Sequence, residues 1–234
     1  MARSDNATGA TRPGVGNRVF FIVVLVVLFA LILSAIFVPL GVFRARGEVM
    51  VSHGTVTVRR DLYVYWLSAY KYSYLAAAVR TDPSVKDTPA YWAELTKAGV
   101  TRAEEARADA DEWIRRIVFA CSLFEEEELS LDAKTREGLE DTYRRLLQYE
   151  WNTEKAYDLA AKKIGFTYET VRRVLLCQSE ADAYVSGMSD DDFDIFCALA
   201  DREVVFRAAA AKIDFASLPI DARLYAAVFD SDAR

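Results

Sequence analysis

Histidine and cysteine are scarce in this sequence, with one and three copies respectively in 234 residues, and this scarcity excludes several kinds of site. The histidine, His53, has no neighbours of ligand type at metal-ligand spacing, so a histidine-rich zinc site is excluded. Motifs of the forms G-x-S-x-G, G-x-x-x-x-G-K-[ST] and G-x-G-x-x-G are missing. A catalytic triad would have to use His53, which we interpret as a turn residue. The sequence therefore predicts no catalytic residue, no metal site and no cofactor.

The three cysteines, Cys121, Cys177 and Cys197, lie far apart and within apolar helical patterns. They form no C-x-x-C pair, and a disulfide scaffold needs more bridges in a smaller chain. We interpret all three as small buried hydrophobic residues. A bridge between Cys177 and Cys197 stays open as an alternative if the domain faces an oxidising compartment.

Positive charge is also in short supply, since 29 Lys and Arg residues stand against 35 Asp and Glu residues. Most of the basic residues are interleaved with acidic ones. A nucleic-acid-binding protein needs a basic stripe that displaces counterions from the phosphates, and none is present. The acidic run from Asp190 to Asp194 lacks the alternation and the glycine of a calcium loop. It favours the start of a helix, where carboxylates meet the positive end of the helix dipole.

One segment, Val19 to Phe43, contains no charged residue. As a helix it extends for roughly 37 Å, whereas the hydrocarbon core of a bilayer is ~30 Å thick. The run is too long for a signal peptide and has no small-x-small cleavage motif at its end, so we predict an uncleaved transmembrane anchor over residues 19–43. The polar residues 1–18 predict a disordered tail. Arginines flank the anchor on both sides, so charge alone leaves its orientation open.

The rest of the chain predicts a mainly α-helical domain over residues 48–200, followed by a C-terminal extension over residues 201–234. The alternating residues 49–58 around His53-Gly54 predict a hairpin or an extended strand. Ala208 to Ala211 favours a helix, whereas Val204 to Phe206 fits either a strand or a helix. Capping signals and apolar periodicity predict a short turn of helix near Tyr91 and helices over residues 61–79, 101–128, 130–149, 152–164, 168–186 and 190–200.

The first of these helices is apolar around most of its circumference. We expect the later helices to enclose it, because a helix with so small a polar side cannot lie on the surface. Its polar side is narrow and carries Arg60, Ser68 and Lys71. Core packing accounts for most of its aromatic residues. The functional alternative is a groove for partner peptides, lined or floored by Tyr63, Trp66, Tyr70 and Tyr74.

Three stretches carry a resemblance to a known family. The first runs from Ser52 to Leu62, where Gly54, Asp61 and Leu62 match the pattern V-N-G-x-x-I-x-x-x-E-F in kind and His53 replaces its usual Asn. The others are Tyr65 to Leu75 and Tyr168 to Leu176. Together they resemble the N-terminal chaperone-like region of the parvulin-type foldases, the SurA and PrsA group, over about 150 residues.

The resemblance implies a SurA-N-like, trigger-factor-C-terminal-like helical domain on the extracytoplasmic side of a bacterial cell membrane. In the enzymes of that group an isomerase domain with pocket histidines follows, and we expect this chain to carry the chaperone-like domain without it. The implied function is non-catalytic binding of unfolded or secreted polypeptides. Two alternatives stay open, namely a structural or assembly subunit with a fixed partner in a membrane complex, and a degenerate isomerase.

Overall fold

The computed structural model describes residues 47–225, and within them every side chain except those of residues 149 and 150. The predicted tail over residues 1–18, the predicted anchor over residues 19–43 and the last residues, 226–234, lie outside this range. Among residues 47–225, no helix is both long and apolar enough to cross a membrane.

The described part of the chain is mainly helical, which confirms the predicted class at that level. A single turn of 3₁₀-helix, Ala222–Leu224, lies near its end. The α-helices in this part are α1 Arg60–Thr81, α2 Pro89–Ala93, α3 Arg102–Glu126, α4 Ala133–Glu150, α5 Glu154–Ala161, α6 Tyr168–Val185, α7 Asp190–Glu203 and α8 Ala208–Ala211.

A small antiparallel sheet combines two strands at the start of the described chain with a third near its end, and the first strand lies in the middle. Strands β1 (Val49–His53) and β2 (Val56–Arg59) form the predicted hairpin, in which His53 pairs with Val56. Gly54 takes the first turn position with a φ of +49°, a conformation that glycine adopts without steric cost. The ambiguous segment after α7 is a strand, β3 (Val205–Phe206), which pairs with β1.

Side-chain caps begin α3, α6 and α7 at the predicted residues, whereas α1 begins without a side-chain cap. Thr101 and Glu104 form a reciprocal capping box at the start of α3, and Thr167 accepts a hydrogen bond from the Thr170 amide at the start of α6. Ser189 caps α7 in the same way. Helix α5 ends at Ala161, three residues before the predicted end, and Gly165 follows with a φ of +112°.

Helix α1 lies at the centre of the core. Every residue from Leu62 to Ala69 is buried, and the helix packs against α3, α6 and the hairpin. The expectation that later elements enclose this helix is confirmed. Burial on all sides favours apolar or internally hydrogen-bonded groups. Ser68 and Tyr63 are hydrogen-bonded, whereas the Tyr65 hydroxyl and Trp66 Nε1 have no hydrogen-bond partner within residues 47–225.

The narrow polar side of α1 is covered as well, although its residues suggested contact with water. Ser68 and Lys71 are fully buried, whereas Arg60 is exposed. The C-terminal segment covers this side: the Tyr225 hydroxyl donates to Ser68 Oγ at 2.7 Å. Buried residues in this segment include Val204, Ile213, Phe215, Leu218 and Leu224. Residues 204–225 thus pack into the same core as the helices before them.

Candidate functional site

The four residues that the sequence singled out on α1 divide into two pairs. Tyr63 and Trp66 are completely buried, whereas Tyr70 and Tyr74, farther along the helix, are half-buried. Only the second pair is able to contact another molecule without a rearrangement of the core.

Tyr63 belongs to an internal polar network. Its hydroxyl donates to Asp111 Oδ1 at 2.7 Å and accepts from Arg107 Nη2 at 2.6 Å. Arg107 also donates to the carbonyls of Ala210 and Ile213, both at 2.8 Å, and so joins α3 to α8 and the segment that follows it. Burial, followed by the nearby Asp111 carboxylate, raises the pKa of Tyr63 far above its ordinary value. The role of this tyrosine is therefore to hold elements together.

Trp66 lies beneath the half-buried ring of Tyr70 and contacts it through Trp113. Its ring meets the ring of Trp113, on α3, edge to face at a centroid distance of 6.5 Å. Trp113 in turn contacts Tyr70 at 6.1 Å. Trp66 thus lies beneath Trp113 and Tyr70, as the floor rather than the lining of the predicted groove.

Tyr70, Tyr74 and Trp113 form what we call the aromatic face. All three side chains are half-buried, and Tyr74 packs on Trp92 at a centroid distance of 5.7 Å. Fixed rings with one free side bind a partner at low conformational cost. The sequence indicated Tyr70 and Tyr74 but not Trp113. Trp113 was visible only as part of the apolar stripe of α3, and no local pattern pairs that stripe with Tyr70.

Carboxylates border the aromatic face. Glu105, Asp109 and Glu112 follow one another along α3 at spacings of four and three residues, which place them on one side of the helix. Burial raises the pKa of Tyr70, and the charge of Asp109 raises this pKa further. These acids therefore lie close enough to the aromatic face for their charge to act on Tyr70.

A solvent-open cleft of about 360 Å³ continues the aromatic face beside Tyr74. Leu95, which is 70% exposed, lines this cleft together with Lys97, Arg102 and Glu105. A neighbouring cleft of about 350 Å³ lies across Arg102. The Arg102 guanidinium donates to Glu94 Oε2 at 2.9 Å, so its charge is compensated within the protein.

The cysteines do not lie as the sequence predicted. Cys121 and Cys177 form a disulfide between α3 and α6, with their Cα atoms 5.9 Å apart. The interpretation of three separate buried residues is wrong for this pair, and the alternative Cys177–Cys197 bridge is also wrong. Cys197 is a half-buried free thiol. Helices α3 and α6 pack closely along their length, and sequence spacing carries no information about that contact.

His53 and the acidic residues 190–192, which were considered for catalysis and for metal binding, have structural roles. His53 is the last residue of β1 rather than a turn residue; its Nε2 lies 3.5 Å from Glu203 Oε2 and its ring packs on Phe119. Asp190, Asp191 and Asp192 occupy the first turn of α7, as predicted. Within residues 47–225, no group of three or more His, Cys, Asp or Glu side chains is arranged to hold a metal ion.

Comparison of the chain with the models of known protein families, with curated proteins and with solved structures finds no match. Functional inference therefore starts from the aromatic face and its surroundings.

Proposed function

We propose that this protein is a membrane-anchored, extracytoplasmic, chaperone-like protein that binds unfolded or partner polypeptides without catalysis. The observation that carries the proposal is the aromatic face of Tyr70, Tyr74 and Trp113 beside the exposed Leu95. Apolar surface of this kind, bordered by polar residues, is typical of sites that bind polypeptides.

The binding mechanism is reversible contact. Apolar side chains of a client leave water when they pack on the three rings, which favours association, and no bond is made or broken. Trp66 and Trp92 hold the rings from below, so little side-chain freedom is lost on binding. The proposed mechanism requires no cofactor.

The disulfide supports the extracytoplasmic location. Bonds such as Cys121–Cys177 persist in oxidising compartments and are rare in the cytosol, where thiols are kept reduced. The predicted anchor over residues 19–43 then holds the binding surface at the membrane, where newly exported chains emerge. A protease added outside intact cells is expected to digest the domain.

The order of elements supports the same family relationship as the sequence motifs. A hairpin with a glycine turn leads directly into α1, the long aromatic helix, and this is the order that the resemblance to the SurA and PrsA group implies. The comparisons add nothing for or against this relationship, so the resemblance is part of the proposal.

Photocrosslinking in living cells tests the proposed function. A photoreactive amino acid replaces Tyr74 in the full chain, and a control chain carries it at Glu137, an exposed residue of α4. We expect position 74 to crosslink a spread of secreted polypeptides in substoichiometric amounts. A single stoichiometric partner would instead indicate an assembly subunit. Crosslinking at position 74 no greater than at position 137 would overturn the proposal.

A further inference from the structure

The aromatic face and the acids beside it form one continuous surface, which we call the acidic-aromatic groove. Its apolar side comes from α1 and α3, and its acidic side comes from one stripe of α3. The groove consists of Tyr70, Tyr74, Trp113, Glu105, Asp109 and Glu112.

Two of the three acids have no countercharge of their own. Among residues 47–225, the side chains of Glu105 and Asp109 form no ion pair, and Asp109 is exposed. Glu112 pairs with Arg116 one turn later on α3. Arg102, at the end of the groove, is already paired with Glu94. The groove therefore keeps two unpaired carboxylates next to its rings, against one exposed lysine, Lys97, in the adjoining cleft.

The effect of this charge reaches the rings themselves. Burial raises the pKa of Tyr70, and the charges of Asp109 and Glu112 raise it further. Burial, then the neighbouring Tyr91 and the charge of Glu105, raise the pKa of Tyr74, whereas the charge and hydrogen bond of Arg102 lower it. An aromatic ring presents a negative face to a cation, so the rings and the carboxylates attract the same kind of group.

We infer that the acidic-aromatic groove selects polypeptide segments in which apolar side chains are interspersed with Lys or Arg. This inference rests on the proposed function and specifies its client class. Apolar side chains pack on Tyr70, Tyr74 and Trp113, while ammonium or guanidinium groups lie over the rings and pair with Glu105 and Asp109. Complementary charge of this kind accelerates association and discriminates among partners of similar hydrophobicity.

Three fluorescently labelled peptides test the inference. They share one apolar backbone sequence and differ only in whether Lys, Gln or Glu occupies the interspersed positions. Binding is measured by fluorescence anisotropy with the full chain in phosphatidylcholine nanodiscs, and empty nanodiscs give the background. The neutral headgroup prevents the lipid from favouring the cationic peptide.

We expect the Lys peptide to bind about tenfold more tightly than the Gln peptide, the combined effect of two exposed charge pairs, and the Glu peptide to bind most weakly. Adding salt should remove the preference, because exposed charges are screened over a distance of about 10 Å at 0.1 M ionic strength. The combined substitution E105Q, D109N and E112Q should reduce the preference to about twofold or less.

A matched control carries the same change of charge on α4, as Glu137→Gln, Glu140→Gln and Asp141→Asn, and should keep the full preference. The single substitution Asp109→Asn, at an exposed residue without an ion pair, provides a second variant if the triple one is poorly folded. It should reduce the preference about twofold.

Equal affinity for the Lys, Gln and Glu peptides would overturn the inference and leave the proposed function intact. Binding of none of the peptides would overturn both.

Discussion

The Lys71 ammonium lies 3.0 Å from Asp87 Oδ1, although the lysine side chain is only 1% exposed. Lys71 also donates to the carbonyls of Ala216 and Leu218, both at 2.8 Å. Asp87 accepts a hydrogen bond from Trp92 Nε1 at 2.6 Å. Lys71 thus links α1 to two other segments. One is the loop around Asp87, which positions Trp92 beneath Tyr74, and the other is the C-terminal segment, residues 204–225.

Substitution Lys71→Met should therefore destabilise the fold by about 2–3 kcal/mol, because it leaves Asp87 and two carbonyls without their donor. The partial exposure of Asp87 keeps the cost below that of a fully buried pair. Urea denaturation followed by circular dichroism measures this loss. The neighbouring, exposed Lys86 provides the control, and Lys86→Met should change stability by less than about 0.5 kcal/mol. Equal stability of the two variants would contradict this role of Lys71.

A pair of glycines tests the packing of the hairpin turn. In Gly54→Ala, the added Cβ would lie 2.6 Å from Ser122 Oγ and from Glu126 Oε1, at a φ of +49°. We expect a loss of about 1–2 kcal/mol in the free energy of unfolding. Gly138 lies within α4, and a Cβ added there would meet no side chain and no other segment inside 4 Å, so Gly138→Ala should stabilise the protein by about 0.5–1 kcal/mol. Changes of the same sign in both variants would exclude this account of the turn.

The disulfide should contribute strongly to stability, since its cysteines are separated by 56 positions in the sequence. Loop-closure entropy predicts a loss of about 4 kcal/mol in Cys177→Ala, and the wild-type protein should lose the same amount on reduction. Cys197→Ala is the control and should change stability little. Thiol titration of the denatured, unreduced chain should find Cys197 alone; three reactive thiols would show that the bridge is not formed.

Alkaline pH should weaken the fold. Burial, together with the hydrogen bond that its hydroxyl donates to Glu127, raises the pKa of Tyr184 to about 12. Burial raises the pKa values of Tyr65 and Tyr157 still further. A phenol whose pKa is raised by folding contributes stability that is fully present below its ordinary pKa of about 10 and is lost as the pH rises through its folded value.

The free energy of unfolding should therefore fall from about pH 10 upward, with tyrosinate absorbance appearing along with it. Tyr184→Phe should reduce the slope between about pH 10 and pH 12, because that phenol no longer titrates. Urea denaturation at a series of pH values measures the slope. A slope identical to that of the wild type would show that Tyr184 ionises equally in the folded and unfolded chains.

Local features of the fold could be predicted from the sequence, because their causes lie within a few residues. Thr101 with Glu104, Thr167 and Ser189 marked helix starts through caps that close within one turn. The alternation around Gly54 marked the hairpin. The enclosure of α1 followed from its lack of a broad polar face.

Contacts between distant segments could not be predicted in this way. The sequence suggests that Lys71 lies on the surface, whereas the fold buries it against the carbonyls of Ala216 and Leu218, which are far away in the sequence. The bond between Cys121 and Cys177 depends on how α3 packs against α6. The candidate site shows the same division. Tyr70 and Tyr74 share a stripe on one helix, whereas Trp113 joins them only through tertiary packing.

The central claim is that the aromatic face binds unfolded polypeptides, and suppression of aggregation tests it most directly. Light scattering follows an aggregating, chemically unfolded secreted protein in the presence of the full chain in nanodiscs. The variants are Tyr70→Ser with Tyr74→Ser, and the control Leu159→Ser, which replaces an apolar side chain that is 72% exposed on α5. We predict that the wild type and the control suppress aggregation at several-fold excess and that the double variant loses most of this effect. No suppression by the wild type, or equal suppression by the double variant, would contradict the claim.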